Sequence, residues 1–161
     1  MNRKETLRQE REWEDSYDGI IYDTDIRECS IPPDATPPEI LIADVLRKLP
    51  RQVRTKVQEN STFVPTYGSS YVSPGTAKNL IILVFRQRES DRSKRRTIAH
   101  EIGHLMRMLQ NPHDSGGYEA EKEADDFSEK YGFGRVYSQE RLEKFPGGGR
   151  TLQGNRRTKN E

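Results

Sequence analysis

The chain has 161 residues, enough for one domain with a modest core, and its 27 basic and 26 acidic residues give a net charge of +1. This balance argues against a chain attracted as a whole to nucleic acid or to a membrane surface. The single cysteine, Cys29, excludes an internal disulfide. Hydrophobic residues make up 31% and charged residues 33% of the chain, which predicts one compact domain with polar, partly disordered ends.

The first 30 residues predict a charged N-terminal extension. Residues 1–18 predict at most a short helix, and Ile20–Tyr22 predicts a short strand. This segment lacks the apolar stretch of a secretory signal, and the longest apolar run, residues 80–85, is far shorter than the ~20 residues that cross a bilayer. We therefore expect a soluble, cytoplasmic protein without a membrane partner.

Residues 31–145 are expected to form the main domain. Prolines at residues 31–38 prevent regular structure there, and Pro37 is predicted to open a helix. Pro50 ends that helix or starts another turn, after which helical spacing continues. Three strands are predicted, at Thr62–Val64, Ser70–Val72 and Asn79–Gln87.

The second half of the chain is predicted to be mainly helical. Three helices are expected, at Lys94–Leu109, Tyr118–Tyr131 and residues 138–145. Asp91 or Ser93 in the preceding loop could cap the first of them. From residue 146 to 161 the glycine-rich, basic sequence predicts a disordered tail.

The predicted helix at residues 94–109 carries the pattern His-Glu-x-x-His. At about 100° per residue, its apolar residues form one face, and His100 and His104 lie together on the opposite side, one turn apart. Glu101 lies one step further round, where it could reach a water molecule on an ion held by both imidazoles. This is the arrangement of zinc peptidases, in which the glutamate acts as general base. The alternative is two solvated histidines, but two of only three histidines in the chain fall in this pattern.

Gly103 interrupts this helix between the two histidines. A glycine inside a helix costs about 1 kcal/mol relative to alanine. We expect that another backbone segment approaches the helix closely at this point.

A catalytic zinc site usually has three protein ligands. On the following helix, Glu121 could be the third ligand, and Asp125, one turn later, could hold a ligand histidine through its free ring nitrogen. Glu123 and His113 are alternative third ligands. These acidic residues could also form only a solvated, charged surface.

RRTIAHEIGHLM followed by EAEKEADDF resembles the ImmA/IrrE-type zinc metallopeptidases, with which the chain shares similarity over roughly residues 37–131. The resemblance implies an α+β, zincin-like fold with a small β-sheet, an active-site helix and a following glutamate helix. It also implies one Zn²⁺ ion held by His100, His104 and Glu121, with Glu101 as the base. Asp125 stands in place of the family's usual asparagine. The family cleaves intracellular proteins, often transcriptional repressors encoded nearby in mobile elements.

These observations predict a zinc-dependent endopeptidase that acts on an intracellular protein, such as a DNA-binding repressor met in trans. The alternative is a non-catalytic, metal-stabilised regulatory or protein-binding module of the same fold. The strand Asn79–Gln87 could hold an extended substrate if it is an exposed edge, or it could be a central core strand. Candidates for stabilising the oxyanion are Tyr118, Tyr131 and His113.

Direct nucleic-acid binding is not expected. Arginine and lysine are frequent between residues 86 and 96 and again in the tail, but acidic residues interrupt the first group. Few aromatic residues that could stack on bases lie among them. The pattern is typical of a solvated loop and a solubilising tail.

Overall fold

The computed structural model describes residues 2–66, 71–73, 78–114 and 116–148. In these ranges it is a mixed α/β protein, and the predicted combination of helices with a small β-sheet is present. The helices are α1 (Arg3–Glu14), α2 (Tyr17–Asp23), α3 (Pro38–Lys48), α4 (Arg51–Asn60), α5 (Asp91–Gln110), α6 (Tyr118–Lys130) and α7 (Gln139–Leu142). The strands are β1 (Asp25–Ile26), β2 (Ser61–Thr66), β3 (Tyr71–Ser73) and β4 (Asn79–Val84).

The four strands form one small sheet in the order β1-β2-β4-β3. β1, β2 and β4 are parallel, whereas β3 pairs antiparallel with β4. The idea that the strand at residues 79–87 is an exposed edge is therefore wrong, because β4 lies between β2 and β3. Ile81 and Leu83 of β4 are fully buried, as expected for a strand in the middle of a sheet with a covered face.

α5 is the central helix of the domain. It contacts α3, α6, β3 and β4, and its apolar residues Ile98, Ile102 and Leu105 are fully buried. The predicted apolar face is thus confirmed. No helix within the described ranges, the 20-residue α5 included, is both long enough and apolar enough to span a membrane.

The N-terminal region differs from the prediction. Ile20–Tyr22, predicted as a strand, belongs to helix α2, whose N-cap Ser16 accepts a hydrogen bond from Gly19 N. Two neighbouring isoleucines fit a helix turn as well as a strand, and the Ser16 cap favours the helix. Ile20 is buried in the main core and β1 pairs with β2. Residues of the predicted extension therefore contribute to the domain's core and sheet.

The other helix boundaries differ by a few residues. α3 starts at Pro38, with Pro37 as N-cap, and α5 starts at Asp91, with Ser90 as cap. Ser90 Oγ accepts from Ser93 N, so neither of the two predicted caps has that role, and Asp91 instead accepts a hydrogen bond from Thr36. The predicted last helix shortens to residues 139–142. Ser70, at the start of one predicted strand, and residues 149–161 of the predicted tail lie outside the described residues.

Candidate metal centre

Helix α5 places the two histidines of the motif side by side. Their imidazole rings are 4.7 Å apart, centroid to centroid, and nearly perpendicular. Nε2 of His100 lies 3.1 Å from Nε2 of His104. His100 is only 3% exposed, so the histidine face of α5 is not a solvated surface. Helix α6 covers it.

Glu121 on α6 completes a group of three donor atoms. Its Oε2 lies 3.0 Å from Nε2 of His100 and 3.2 Å from Nε2 of His104. Within the described residues, these three side chains have ligand atoms close enough together to hold a metal ion. The structure thus brings together the residues that the sequence predicted as ligands.

The close approach of α6 depends on small residues. A Cβ atom at position 103 would lie 2.8 Å from the Cα of Ala124 and 3.0 Å from its carbonyl oxygen. Gly103 therefore allows the two helix backbones to approach within a distance that any side chain would prevent. This confirms the expected close approach of another backbone and explains how Glu121 reaches the histidines.

The three donors fit a divalent metal ion. Two imidazole nitrogens and one carboxylate oxygen are a donor set of catalytic zinc sites, which leave a fourth position open. Metal–ligand bonds of ~2.0–2.2 Å at tetrahedral angles place the donors ~3.3–3.5 Å apart. The observed separations of 3.0, 3.1 and 3.2 Å are close to that spacing. Small side-chain shifts would accommodate the ion.

Asp125 fixes the orientation of His100. Its side chain is fully buried, and its Oδ1 lies 2.9 Å from Nδ1 of His100. The same carboxylate accepts hydrogen bonds from the backbone N–H groups of Val136, at 2.8 Å, and Tyr137, at 3.0 Å. Although burial raises its pKa, the hydrogen bonds from His100 and these two N–H groups outweigh that effect and lower the pKa below its ordinary value. The carboxylate accepts the proton on Nδ1, so the lone pair of neutral His100 is on Nε2, directed at the other two donors.

The charges of the site favour a cation. Burial lowers the pKa of His100, but hydrogen bonds to the carboxylates of Asp125 and Glu121 outweigh it and raise the pKa to about 9. Burial raises the pKa of Glu121, yet its contacts with His100 and His104 lower the pKa to about 2. A proton and a metal ion therefore compete for Nε2 of His100.

Glu101 has the environment of a proton acceptor. It is 6% exposed and lines the cleft in front of the donor group. Its Oε2 is buried and accepts no hydrogen bond from the residues that the structure describes. Burial raises the pKa of this carboxyl group. An unpartnered buried carboxylate is costly unless a ligand or water molecule uses it.

The cleft has a volume of about 300 Å³. Its lining includes His100, Glu101, His104, Arg107, Glu121 and Tyr137. Tyr137 was not predicted, and none of the three predicted oxyanion candidates is among the lining residues. Tyr131 instead packs edge-on against Phe127.

Contacts with residues distant in the sequence hold Tyr137 at the cleft. Its ring lies 5.6 Å from that of His100 and 5.1 Å from that of Phe145, while Asp125 holds its backbone N–H. Burial, and then the negative charges of the site, with Glu121 the largest, raise the pKa of Tyr137. Its hydroxyl group therefore stays protonated and can donate a hydrogen bond. No local sequence pattern marks this residue, since its position depends on a carboxylate twelve residues earlier.

The alternative third ligands lie elsewhere. Glu123 Oε1 is 2.6 Å from Nη1 of Arg107, and its side chain is 54% exposed. Arg107 also binds both carboxylate oxygens of Asp114, at 2.6 and 2.9 Å. His113 is exposed in the loop that follows α5. Neither alternative is part of the donor group.

Comparison of the chain with protein-family models, with curated proteins and with solved structures finds no match. The resemblance to the ImmA/IrrE-type peptidases therefore stays a prediction from the motifs.

Proposed function

We propose that this protein is a zinc-dependent endopeptidase with a zincin-like fold, of the ImmA/IrrE type. One observation carries the proposal. The Nε2 atoms of His100 and His104 and Oε2 of Glu121 converge within 3.2 Å of one another, beside the buried, unpartnered carboxylate of Glu101. A structural metal site needs no such carboxylate, whereas hydrolysis needs it as a general base.

His100, His104 and Glu121 would hold the zinc ion. A zinc ion held there would lower the pKa of a bound water molecule to near 7 and would polarise the scissile carbonyl group. Glu101 accepts the proton of the attacking water and passes it to the leaving amine. Asp125 keeps the imidazole of His100 in the tautomer that presents Nε2 as a ligand.

Tyr137 is the proposed donor to the oxyanion. It lines the same cleft as the donor group, and its raised pKa keeps the hydroxyl proton in place. As the carbonyl oxygen becomes negative, a hydrogen bond from this hydroxyl group becomes stronger than the same bond to the neutral carbonyl of the bound substrate. Such a bond lowers the barrier, because it favours the transition state over the ground state.

Strand β3 is the proposed docking edge for the substrate. Among the described strands it pairs with β4 on one side only, and it contacts α5. An extended peptide could add to such an edge through main-chain hydrogen bonds. The substrate would be an intracellular protein, for which the family resemblance suggests a DNA-binding repressor.

Metal analysis and peptide cleavage together test the proposal. Purified wild type, His100→Ala, Glu121→Ala and Glu101→Gln would be assayed for bound zinc and for cleavage of a proteome-derived peptide library by mass spectrometry. Glu123→Ala is a matched control, since it lies two residues from Glu121 on the same helix. We expect zinc in the wild type, Glu101→Gln and Glu123→Ala, little zinc in the two ligand variants, and cleavage by the wild type and Glu123→Ala.

The Glu101→Gln variant separates the two candidate functions. A peptidase loses turnover in this variant but keeps its zinc. If the zinc-loaded wild type cleaves no peptide, and Glu101→Gln behaves like it in every assay, the site is a non-catalytic metal centre and the enzymatic proposal is wrong.

A further inference from the structure

A second cleft adjoins the metal centre at the N-terminal end of α5. It has a volume of about 550 Å³, and three arginines line it, Arg86, Arg88 and Arg96. We call it the arginine cleft. The charge pattern of the sequence indicated only a solvated basic loop here, but the fold gathers these three side chains around one concave surface.

The positive charge of the arginine cleft is only partly compensated, because three arginines and one glutamate line it. Within the described residues, no carboxylate forms an ion pair with any of the three guanidinium groups. The carboxylate of Glu89 accepts hydrogen bonds from Arg86 N, at 3.0 Å, and from Ser93 Oγ, at 2.8 Å. It keeps its negative charge, so the cleft has an excess of positive charge but not three uncompensated cations. At the other end of the metal centre, by contrast, Arg107 is bound to two carboxylates. Among the described residues that line the two clefts, the excess of positive charge therefore lies on the side of the arginine cleft.

The arginine cleft and the metal cleft are neighbours. Arg96 lies four residues before His100 on α5, hence on the same helix face and about 6 Å along the axis. Val136 lines the arginine cleft and the next residue, Tyr137, lines the metal cleft. An extended peptide advances ~3.3 Å per residue. A substrate bound at the metal centre would therefore place a side chain in the arginine cleft one to three residues from the scissile bond.

We infer that the arginine cleft is a subsite for an acidic side chain of the substrate, so that the enzyme prefers peptides with Asp or Glu close to the cleaved bond. This inference rests on the proposed endopeptidase function. Guanidinium groups bind carboxylates by paired, charge-assisted hydrogen bonds. A nucleic-acid strand fits the cleft less well, because Glu89 is part of its wall and no aromatic residue for base stacking is among its lining residues.

Two peptide pools provide the test. Both are ten residues long and randomised, except that a central block contains two Glu in one pool and two Gln in the other. Cleavage by the zinc-loaded protein is followed with internally quenched pools. The proteins compared are the wild type, the double variant Arg86→Gln/Arg88→Gln and the control Arg92→Gln. The control makes the same Arg→Gln change once, outside the cleft. Arg92 is exposed on α5 and lines neither cleft.

We expect the wild type and Arg92→Gln to cleave the Glu pool about three- to tenfold faster than the Gln pool, as one or two exposed ion pairs would give. The double variant should lose most of this ratio, and added salt should reduce the wild-type ratio. Equal cleavage of the two pools by the wild type would overturn the subsite while leaving the peptidase function intact.

If no cleavage occurs, a binding experiment tests the arginine cleft without turnover. Zinc-loaded Glu101→Gln, with and without the double substitution, would be titrated with fluorescein-labelled forms of both pools and followed by anisotropy. Tighter binding of the Glu pool that depends on the two arginines supports the subsite, even if the peptidase proposal has failed. Equal binding of the pools overturns it. Displacement of the Glu pool by duplex DNA with a steep salt dependence, lost in the double variant, would also overturn it in favour of a nucleic-acid ligand.

Discussion

Replacing Gly103 by alanine tests how the two site helices are held together. The added methyl group would lie 2.8 Å from Cα of Ala124 and 3.1 Å from Cβ of Phe127. Carbon atoms in packed interiors are ~3.5–4.0 Å apart, so α6 must move by about 0.7 Å or more. Because the nearest atoms belong to the backbone of α6, no side-chain rotation can relieve the contact.

The energies of this substitution oppose one another. Alanine gains about 1 kcal/mol in helix propensity over glycine, whereas overpacking a tight contact costs about 1–3 kcal/mol. We expect the free energy of unfolding to fall by about 0–2 kcal/mol without zinc. The larger effect is on the metal centre, because Glu121 is three residues before Ala124 and moves with it. Metal sites tolerate deviations of only about 0.2 Å in ligand distance, so zinc affinity should fall at least about tenfold.

Zinc affinity by competition titration and unfolding by urea, each on the wild type and Gly103→Ala, measure both effects. Glu119→Gln, at an exposed position of α6, is the control and should change neither quantity. If Gly103→Ala gains the full helix-propensity stabilisation and binds zinc like the wild type, then the helices are not in close contact at this point, and our account of how Glu121 reaches the histidines is wrong.

Three further predictions concern the chemistry of the site. Asp125→Ala removes the acceptor of the His100 Nδ1 proton and of the backbone N–H groups of Val136 and Tyr137, so zinc affinity should fall about 10–100-fold in a competition titration; wild-type affinity would contradict the role of Asp125. In zinc-free protein, the stabilisation from protonated His100 is complete below its unfolded pKa of 6.5 and is lost as pH rises through its folded pKa of about 9. Urea unfolding should therefore show a loss of about 2–3 kcal/mol between these pH values, while zinc affinity rises because the proton no longer competes; stability that increases over this range would refute the assignment. Tyr137→Phe should lower kcat about 10²–10³-fold with zinc content and KM little changed, and an unchanged kcat would remove Tyr137 from the mechanism.

Where a feature depended on neighbours within one helix, the sequence was enough to predict it. The four-residue spacing of His100 and His104 puts both imidazoles on one face of any α-helix. The same spacing relates Glu121 to Asp125, and a glycine between the histidines indicated close packing. The apolar face of α5 followed from the same periodicity. These features needed no knowledge of the rest of the chain.

Features that depend on distant contacts were decided by the tertiary structure. Whether Glu121 or Glu123 faces the histidines depends on the rotation of α6 about its axis. The packing of α6 against α5, which includes the close approach of Gly103 and Ala124, sets this rotation. Whether β4 is an edge or a central strand depends on the pairing of β3 with it. Tyr137 lines the cleft through contacts with distant parts of the chain: the Asp125 carboxylate on α6 accepts its backbone N–H, and its ring packs against those of His100 and Phe145. Local periodicity places side chains on a helix face, but the three-dimensional packing of separate elements determines which faces meet.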